Sequence, residues 1–304
     1  MKLKHLLFLS TLLSLMACSD DSPATPDSPE TPEQPDITNS VEKLVTMDVS
    51  QTYQTIAGFG ASDCWAPSFV GKSWTSGRAG ITELLFSSEI VNGKPKGIGL
   101  SQWRVNLGGG SAQQGDASGI EDKSRRAESY LKDDLTLDWS RCEGQRYFMS
   151  RAKELGCDNF ILFSNTPPVQ YTYNGKGFSV QGASSNLKTE HYDDFAGYMT
   201  EVAAHYTGEG YNVTHISPVN EPQYNWDGGQ EGSGWTNDQV AKLVRELDAS
   251  LTASGLSTDI LLGESGDWEY LYKSKSDANR SNVINAFFRE GSSAYVGNLP
   301  HVKN

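Results

Sequence analysis

Residues 216–226 read ISPVNEPQYNW. An apolar run ends on Asn220 and Glu221, Pro222 follows, and Tyr224 and Trp226 come directly after. A carboxyl group serves as a general acid near neutral pH only when its pKa lies well above that of a free glutamate. Partial burial among rings raises it, because burial disfavours the charged form. Asn220 can hydrogen-bond a ligand hydroxyl. Pro222 removes a backbone donor and fixes the turn. Tyr224 and Trp226 offer flat, amphipathic faces of the kind that stack on a sugar ring. A lone Glu in a loop is an ordinary surface residue; a Glu delivered by a strand end into an aromatic setting is a candidate acid/base.

Other chemistries are poorly served. His5, His191, His205, His215 and His301 form no His-Glu-x-x-His, and none lies beside a cysteine pair, so neither a metal site nor another cofactor is expected. His191 and His205 read as surface or packing residues. There is no Gly-x-Ser-x-Gly elbow and no complete nucleotide-binding glycine motif, Gly58-Phe59-Gly60 being only a fragment of one.

A carboxylate of this kind needs rigid elements to aim it. Apolar runs at 55–62, 98–107, 159–164, 213–220 and 259–264 read as strands. Segments 143–155, 190–206, 237–253 and 281–288 read as helices, the second from Phe195, Tyr198, Met199 and Val202 at helical spacing. Asn237 is the expected cap of the third, and Gly255 lies just past its end. Continuous apolar strands alternating with helices predict a parallel sheet buried on both faces, and the repetition favours a βα barrel over a doubly wound sheet. Asp63-Cys64-Trp65, Asn106, Asn165, Glu221 and Glu264 all follow strands, on the face where barrel sites sit. The expected fold is α/β, a (β/α)8 TIM-type barrel. The last residues, LPHVKN, offer no closing element, so the barrel is expected to be truncated after about five βα units, where eight are needed.

Composition narrows the partners. The 304 residues carry a formal charge of −13, which argues against nucleic acid or an anionic lipid surface, both of which need a basic face. Residues 1–17 read as a signal peptide: a basic start, the apolar run Leu6–Met16, too short to span a membrane as a helix, then Leu15-Met16-Ala17-Cys18. That ending resembles a bacterial lipoprotein signal, with lipidation at Cys18, and Ser19-Asp20-Asp21 resembles a surface-export signal of such proteins. The chain is therefore expected at the bacterial cell envelope, at the outer membrane, attached only through its lipid. Residues 18–43 are rich in Pro, Ser, Thr and acid and read as an extended tether. Cys64, Cys142 and Cys157 follow no disulfide or metal spacing and are expected as buried free thiols.

Several stretches together resemble glycoside hydrolase family 30, specifically its endo-β-1,6-galactanase-like branch. They are GFGAS (58–62), WRVNLGGG (103–110), RRAESYL (125–131), FSNTPPVQYTYNG (163–175) and ISPVNEPQYNWDGGQEG (216–232). The resemblance covers residues 44–304 and implies a retaining double displacement. One carboxylic acid protonates the leaving oxygen; a second carboxylate, about 5–5.5 Å away, attacks the anomeric carbon. It implies Glu221 as acid/base and Arg104 as the arginine beside the catalytic carboxylates. Asn220 would contact the sugar 2-hydroxyl. Trp65, Asn165, Tyr224, Trp226 and Glu264 are further expected substrate contacts, with a polysaccharide or oligosaccharide as partner. The resemblance also implies a β-sandwich side domain, to which Leu44–Val49 would give a first strand.

The nucleophile of the resembled family ends the seventh strand. Only 83 residues follow Glu221, so that residue is expected beyond Asn304. Glu264 ends the fifth strand and is read as lining the pocket. Two other readings stay open: the same chemistry on another glycan (β-1,6-glucan or a xyloside), and a surface lipoprotein that binds glycan without cleaving it.

Overall fold

In the computed structural model, alternation along each strand sets up the sheet. The structure describes residues 46, 48–179, 184–275 and 277–303. Six strands pair in parallel: β1 (Gly60–Ser62), β2 (Gln102–Asn106), β3 (Asn159–Phe163), β4 (Val213–Ser217), β5 (Asp259–Leu261) and β6 (Val302–Lys303). Their spatial order follows their chain order, so each strand is added to the same edge as the last. A doubly wound sheet reverses direction midway; a barrel never does. This is an α/β fold wound in the TIM-barrel manner.

Register assigns the two faces. Val105, Leu162, Ile216, Ile260 and Val302 stand in one row across five strands. All five are buried against the helices. The neighbouring row runs through Ser62, Arg104, Ile161, His215 and Asp259 and faces the barrel interior. A period of two thus sends the apolar row outward to the helices and Arg104 inward.

The connecting helices are α1 (Ala66–Ser73), α2 (Arg78–Phe86), α3 (Glu143–Glu154), α4 (Tyr192–Gly208), α5 (Asn237–Ser254), the short α6 (Trp268–Tyr272) and α7 (Val283–Phe288). On α5, Val240, Leu243, Val244, Leu247 and Leu251 are buried at helical spacing and pack with α4. Each such side chain stabilises the fold by about 1.5–3 kcal/mol.

Several expectations need correction. The cap of α5 is Thr236 rather than Asn237. The Thr236 hydroxyl accepts from Gln239 N (3.3 Å), and Gln239 Oε1 accepts from Thr236 N (3.0 Å). The Gln three residues on decides between two adjacent cap-type residues. Asn237 instead donates to Ser281 O at 2.9 Å. Five barrel strands were expected and six are described: LPHVKN holds no closing element but contains β6, which extends the sheet beyond β5. His301 O accepts from Ile260 N at 2.6 Å, and Asp248 on α5 accepts from His301 N at 2.9 Å. Of the strand expected at 44–49, Thr46, Asp48 and Val49 are described and none is in a strand; Asp48 starts a turn. The rest of that segment, the signal peptide, Cys18 and the tether lie outside the described residues. The chain divides into Met1–Thr55 and Ile56–Asn304, and the barrel-type sheet belongs to the second unit.

Candidate active site

The ends of β1 to β5 open on one side, and their loops carry the polar side chains. Arg104, inside the barrel on β2, bridges them. Its Nη2 donates to Asn220 Oδ1 and to Glu264 Oε2, both at 2.9 Å, and Nη1 donates to Ser62 Oγ at 3.3 Å. The guanidinium lies 3.4 Å from the centre of the Phe163 ring. One side chain thus ties β1, β2, β3, β4 and β5 together at their ends. A half-buried Arg–carboxylate pair that is also hydrogen-bonded is a defined geometry, unlike a solvated surface pair.

Glu221 sits beside this group in an unusual backbone state, with φ at +43°. A left-handed residue other than glycine costs about 1–3 kcal/mol and persists only where its surroundings hold it. Three hydrogen bonds do so: Glu221 N donates to Glu264 O at 2.7 Å, and Glu221 O accepts from Trp226 Nε1 and from Tyr224 N, each at 3.1 Å. Burial raises the Glu221 pKa, the Arg104 charge lowers it, and the Glu264 charge raises it further; the net direction is upward. The group therefore stays protonated to higher pH than a free glutamate.

Glu221, Tyr224, Trp226, Asp227 and Gln230 line a cleft of about 800 Å³, which Asp122 and Arg125 also border. Tyr224 and Trp226 meet edge to face with ring centres 5.7 Å apart. Tyr224 is exposed to solvent, so its outer face is free for a ligand.

Two expected contacts lie elsewhere in the fold. Asn165 is buried, and its Nδ2 donates to Asn106 Oδ1 (3.2 Å) and Cys64 Sγ (3.1 Å). Trp65, next to that cysteine, is half-buried at the start of α1. Both thus belong to the β1–β3 side of the face. Asp63 anchors that side. Its carboxylate accepts from Asn106 N and Gln145 Nε2, each at 2.8 Å. Full burial pushes its pKa up to about 7 against those two donors. Cys142 and Cys157 are buried free thiols and Cys64 a half-buried one.

Glu231, in the 216–232 stretch that carries the resemblance, was not among the expected site residues. It is fully buried. Its carboxylate accepts from Gly109 N (2.8 Å), Ser111 N (3.0 Å) and Ser111 Oγ (2.5 Å). It joins the loop after β2 to the loop after β4, over 120 residues of sequence. A Cβ on the neighbouring Gly232 would fall 2.4 Å from the Trp226 ring, so only glycine lets that ring close over the chain. Among the described residues, no group of three His, Cys, Asp or Glu side chains is placed to hold a metal ion.

The family model for O-Glycosyl hydrolase family 30 matches residues 42–304. An endo-beta-1,6-galactanase from Hypocrea rufa is 25% identical over 262 residues, covering 79% of this chain and 53% of the relative. Among solved structures, a conserved exported protein from Bacteroides fragilis superposes with a TM-score of 0.79 at 33% identity, over 84% of this chain and 53% of that one. The catalytic domain of a GH30 xylanase C from Talaromyces cellulolyticus shares the fold, with a TM-score of 0.53 at 19% identity, over 78% of this chain and 52% of that one. The chain spans about half the length of each of these relatives.

Proposed function

From the premise that the chain belongs to O-glycosyl hydrolase family 30, we propose that it serves a retaining hydrolysis of β-1,6-linked galactan, of the kind found in arabinogalactan side chains. The placement of Glu221 carries this reading. Burial raises the pKa of its carboxyl, its backbone is clamped by Glu264 and Trp226, and it opens on an aromatic cleft. Glu221 protonates the departing glycosidic oxygen, then takes a proton from the water that releases the sugar from the second carboxylate. Glu264 pairs with Arg104 and its backbone carbonyl takes the Glu221 N–H, so it positions the acid; the attacking carboxylate is the one that ends the seventh strand in the resembled family. Asn220, oriented by Arg104, meets the sugar hydroxyls, and Tyr224 and Trp226 meet its apolar face. The similarity to a relative named as a β-1,6-galactanase supports the linkage.

The test is to incubate the whole protein with β-1,6-galactan, β-1,6-glucan and β-xylan. β-1,6-Galacto-oligosaccharides should appear, with the β anomer first by NMR. Cleavage of glucan with galactan untouched would overturn the substrate, and binding without cleavage would overturn the activity.

The same proposal includes a lipid anchor at Cys18, on the strength of Leu15-Met16-Ala17-Cys18. Cys18→Ala should move the protein from the membrane fraction to the soluble fraction. Equal membrane association of the variant and the natural protein would remove the anchor.

A further inference from the structure

Trp268 is 80% exposed and Tyr272 56% exposed. They stand four residues apart on α6, which places them on one side of that short helix. Single exposed apolar residues are ordinary, but two large rings together on one side of a helix form an exposed patch of the kind that a partner covers. What they bind follows from where α6 hangs.

The loop from β5 to α6 runs along the Glu221 loop residue by residue. Glu264 O takes the Glu221 N–H. Ser265 Oγ accepts from Gln223 Nε2 at 3.1 Å. At Gly266 a Cβ would lie 2.4 Å from the Tyr224 ring, so the ring rests directly on that backbone. Asp267 then caps α6 by accepting from Glu269 N at 2.8 Å, and Trp268 is the first helical residue. Two residues of chain reach at most about 7 Å, so the Trp268 backbone stays within about one sugar length of the glycine on which the Tyr224 ring rests.

The helix is also braced. Lys275 Nζ bonds Asp267 (3.1 Å) and Glu269 (2.9 Å), and Lys273 Nζ bonds Glu269 (2.7 Å). Each exposed pair is weak alone. Around a five-residue helix they form a network that braces the backbone carrying the two rings.

We infer that Trp268, with Tyr272 behind it, is a distal stacking platform that carries the aromatic strip of Trp226 and Tyr224 outward from Glu221 and engages the third or later sugar of a long glycan chain. This rests on the proposed glycan-cleaving function and adds to it a preference for long chains. A pyranose presents a face of C–H groups, and a rigid indole meets it with little loss of side-chain freedom. Glycan is favoured over a protein occupant because α6 follows directly on Gly266, which backs Tyr224, a ring of the cleft that holds the acid/base.

The test compares Trp268→Ala, Trp268→Phe and the natural protein on a disaccharide and a hexasaccharide of whichever glycan the polysaccharide panel identifies. An error in the galactan assignment is thereby separated from an error here. The ratio of kcat/KM on the hexasaccharide to that on the disaccharide should fall about 3- to 10-fold in Trp268→Ala, through KM. Phe should restore part of it. The exposed position predicts an unchanged Tm, which checks folding. A ratio equal to that of the natural protein overturns the inference, as does binding of no glycan in the panel. Concentration-dependent self-association that Trp268→Ala abolishes, with the ratio unmoved, would assign the surface to a second copy of the chain and overturn it too.

Discussion

Replacing Glu221 by Gln is expected to lower kcat on an unactivated β-glycan by about 10²- to 10⁴-fold, the range that a positioned general acid supplies. Gln fills the same space and can keep the backbone bonds to Glu264 and Trp226, but it has no proton to give. An aryl glycoside with a good leaving group needs little acid help, so its first step should be spared. Its second step still needs a base, and the variant should therefore accumulate glycosyl-enzyme and show a burst. The pH profile supplies an independent check. Burial first, and the Glu264 charge next, raise the Glu221 pKa against the pull of Arg104. The protonated, active form thus persists above the ordinary glutamate range, and activity is lost as pH rises through the elevated value. That alkaline limb should vanish in the Gln variant. Equal loss of kcat/KM, which reports the first step, on activated and unactivated substrates, or an unchanged limb, would remove Glu221 from the acid/base role.

The parts of this site that were legible in the sequence are those written locally. Asn220-Glu221-Pro222 follows an apolar run, and Arg104 sits mid-strand between Trp103 and Val105, a polar residue where period two points it away from its apolar neighbours. Strand 159–163 was readable because Phe160–Phe163 are contiguous apolar residues followed by Ser164 and Asn165, and strand 213–217 because its apolar residues lead through Val219 into Asn220 and Glu221. β6 was not, since a two-residue strand has no period; Ile260 and Asp248 supply its partners from elsewhere in the chain. The run at 55–62 overstates β1, which is ordered as a strand only over Gly60–Ser62, where it meets Gln102–Arg104. Nor could sequence alone show that Glu264, chosen as a pocket residue, acts as much through its backbone carbonyl as through its carboxylate. The left-handed Glu221 was likewise hidden: a residue before proline is normally extended, and contacts from the loop after β5, Tyr224 and Trp226 hold it otherwise.

Glu231 carries the second large prediction, because it is the acid in the pair of loops that cannot reach water. Glu231→Ala would leave Gly109 N, Ser111 N and the Ser111 hydroxyl without their acceptor in a buried place. At about 1–3 kcal/mol for each buried donor left unmade, the loss is large, and a fall in Tm of about 10 °C is expected by thermal denaturation. Gln is the informative partner. Its single carbonyl can serve Ser111, but its amide then faces Gly109 N–H donor to donor, so Glu231→Gln should lie between Ala and the natural protein.

Activity should fall as well, in kcat more than in KM. Glu231 fixes the chain next to Gly232, Gly232 seats the Trp226 ring, and Trp226 Nε1 holds Glu221 O. Loosening that series frees Glu221 to leave a backbone state that only its neighbours sustain.

The dependence on pH has a defined sign. Burial raises the Glu231 pKa against its hydrogen bonds. The folded state therefore holds the proton more tightly than the unfolded chain. This contribution to stability is fully present below the ordinary glutamate value and is lost as pH rises through the raised one. Gln does not titrate, so the Tm gap between the natural protein and Glu231→Gln should be widest near pH 4 and narrow as pH rises. A gap that widens with pH would mean that the native carboxylate is stabilised by its three donors more than burial opposes it. Natural Tm and kcat in Glu231→Ala would mean that the two loops are held together by something other than this carboxylate.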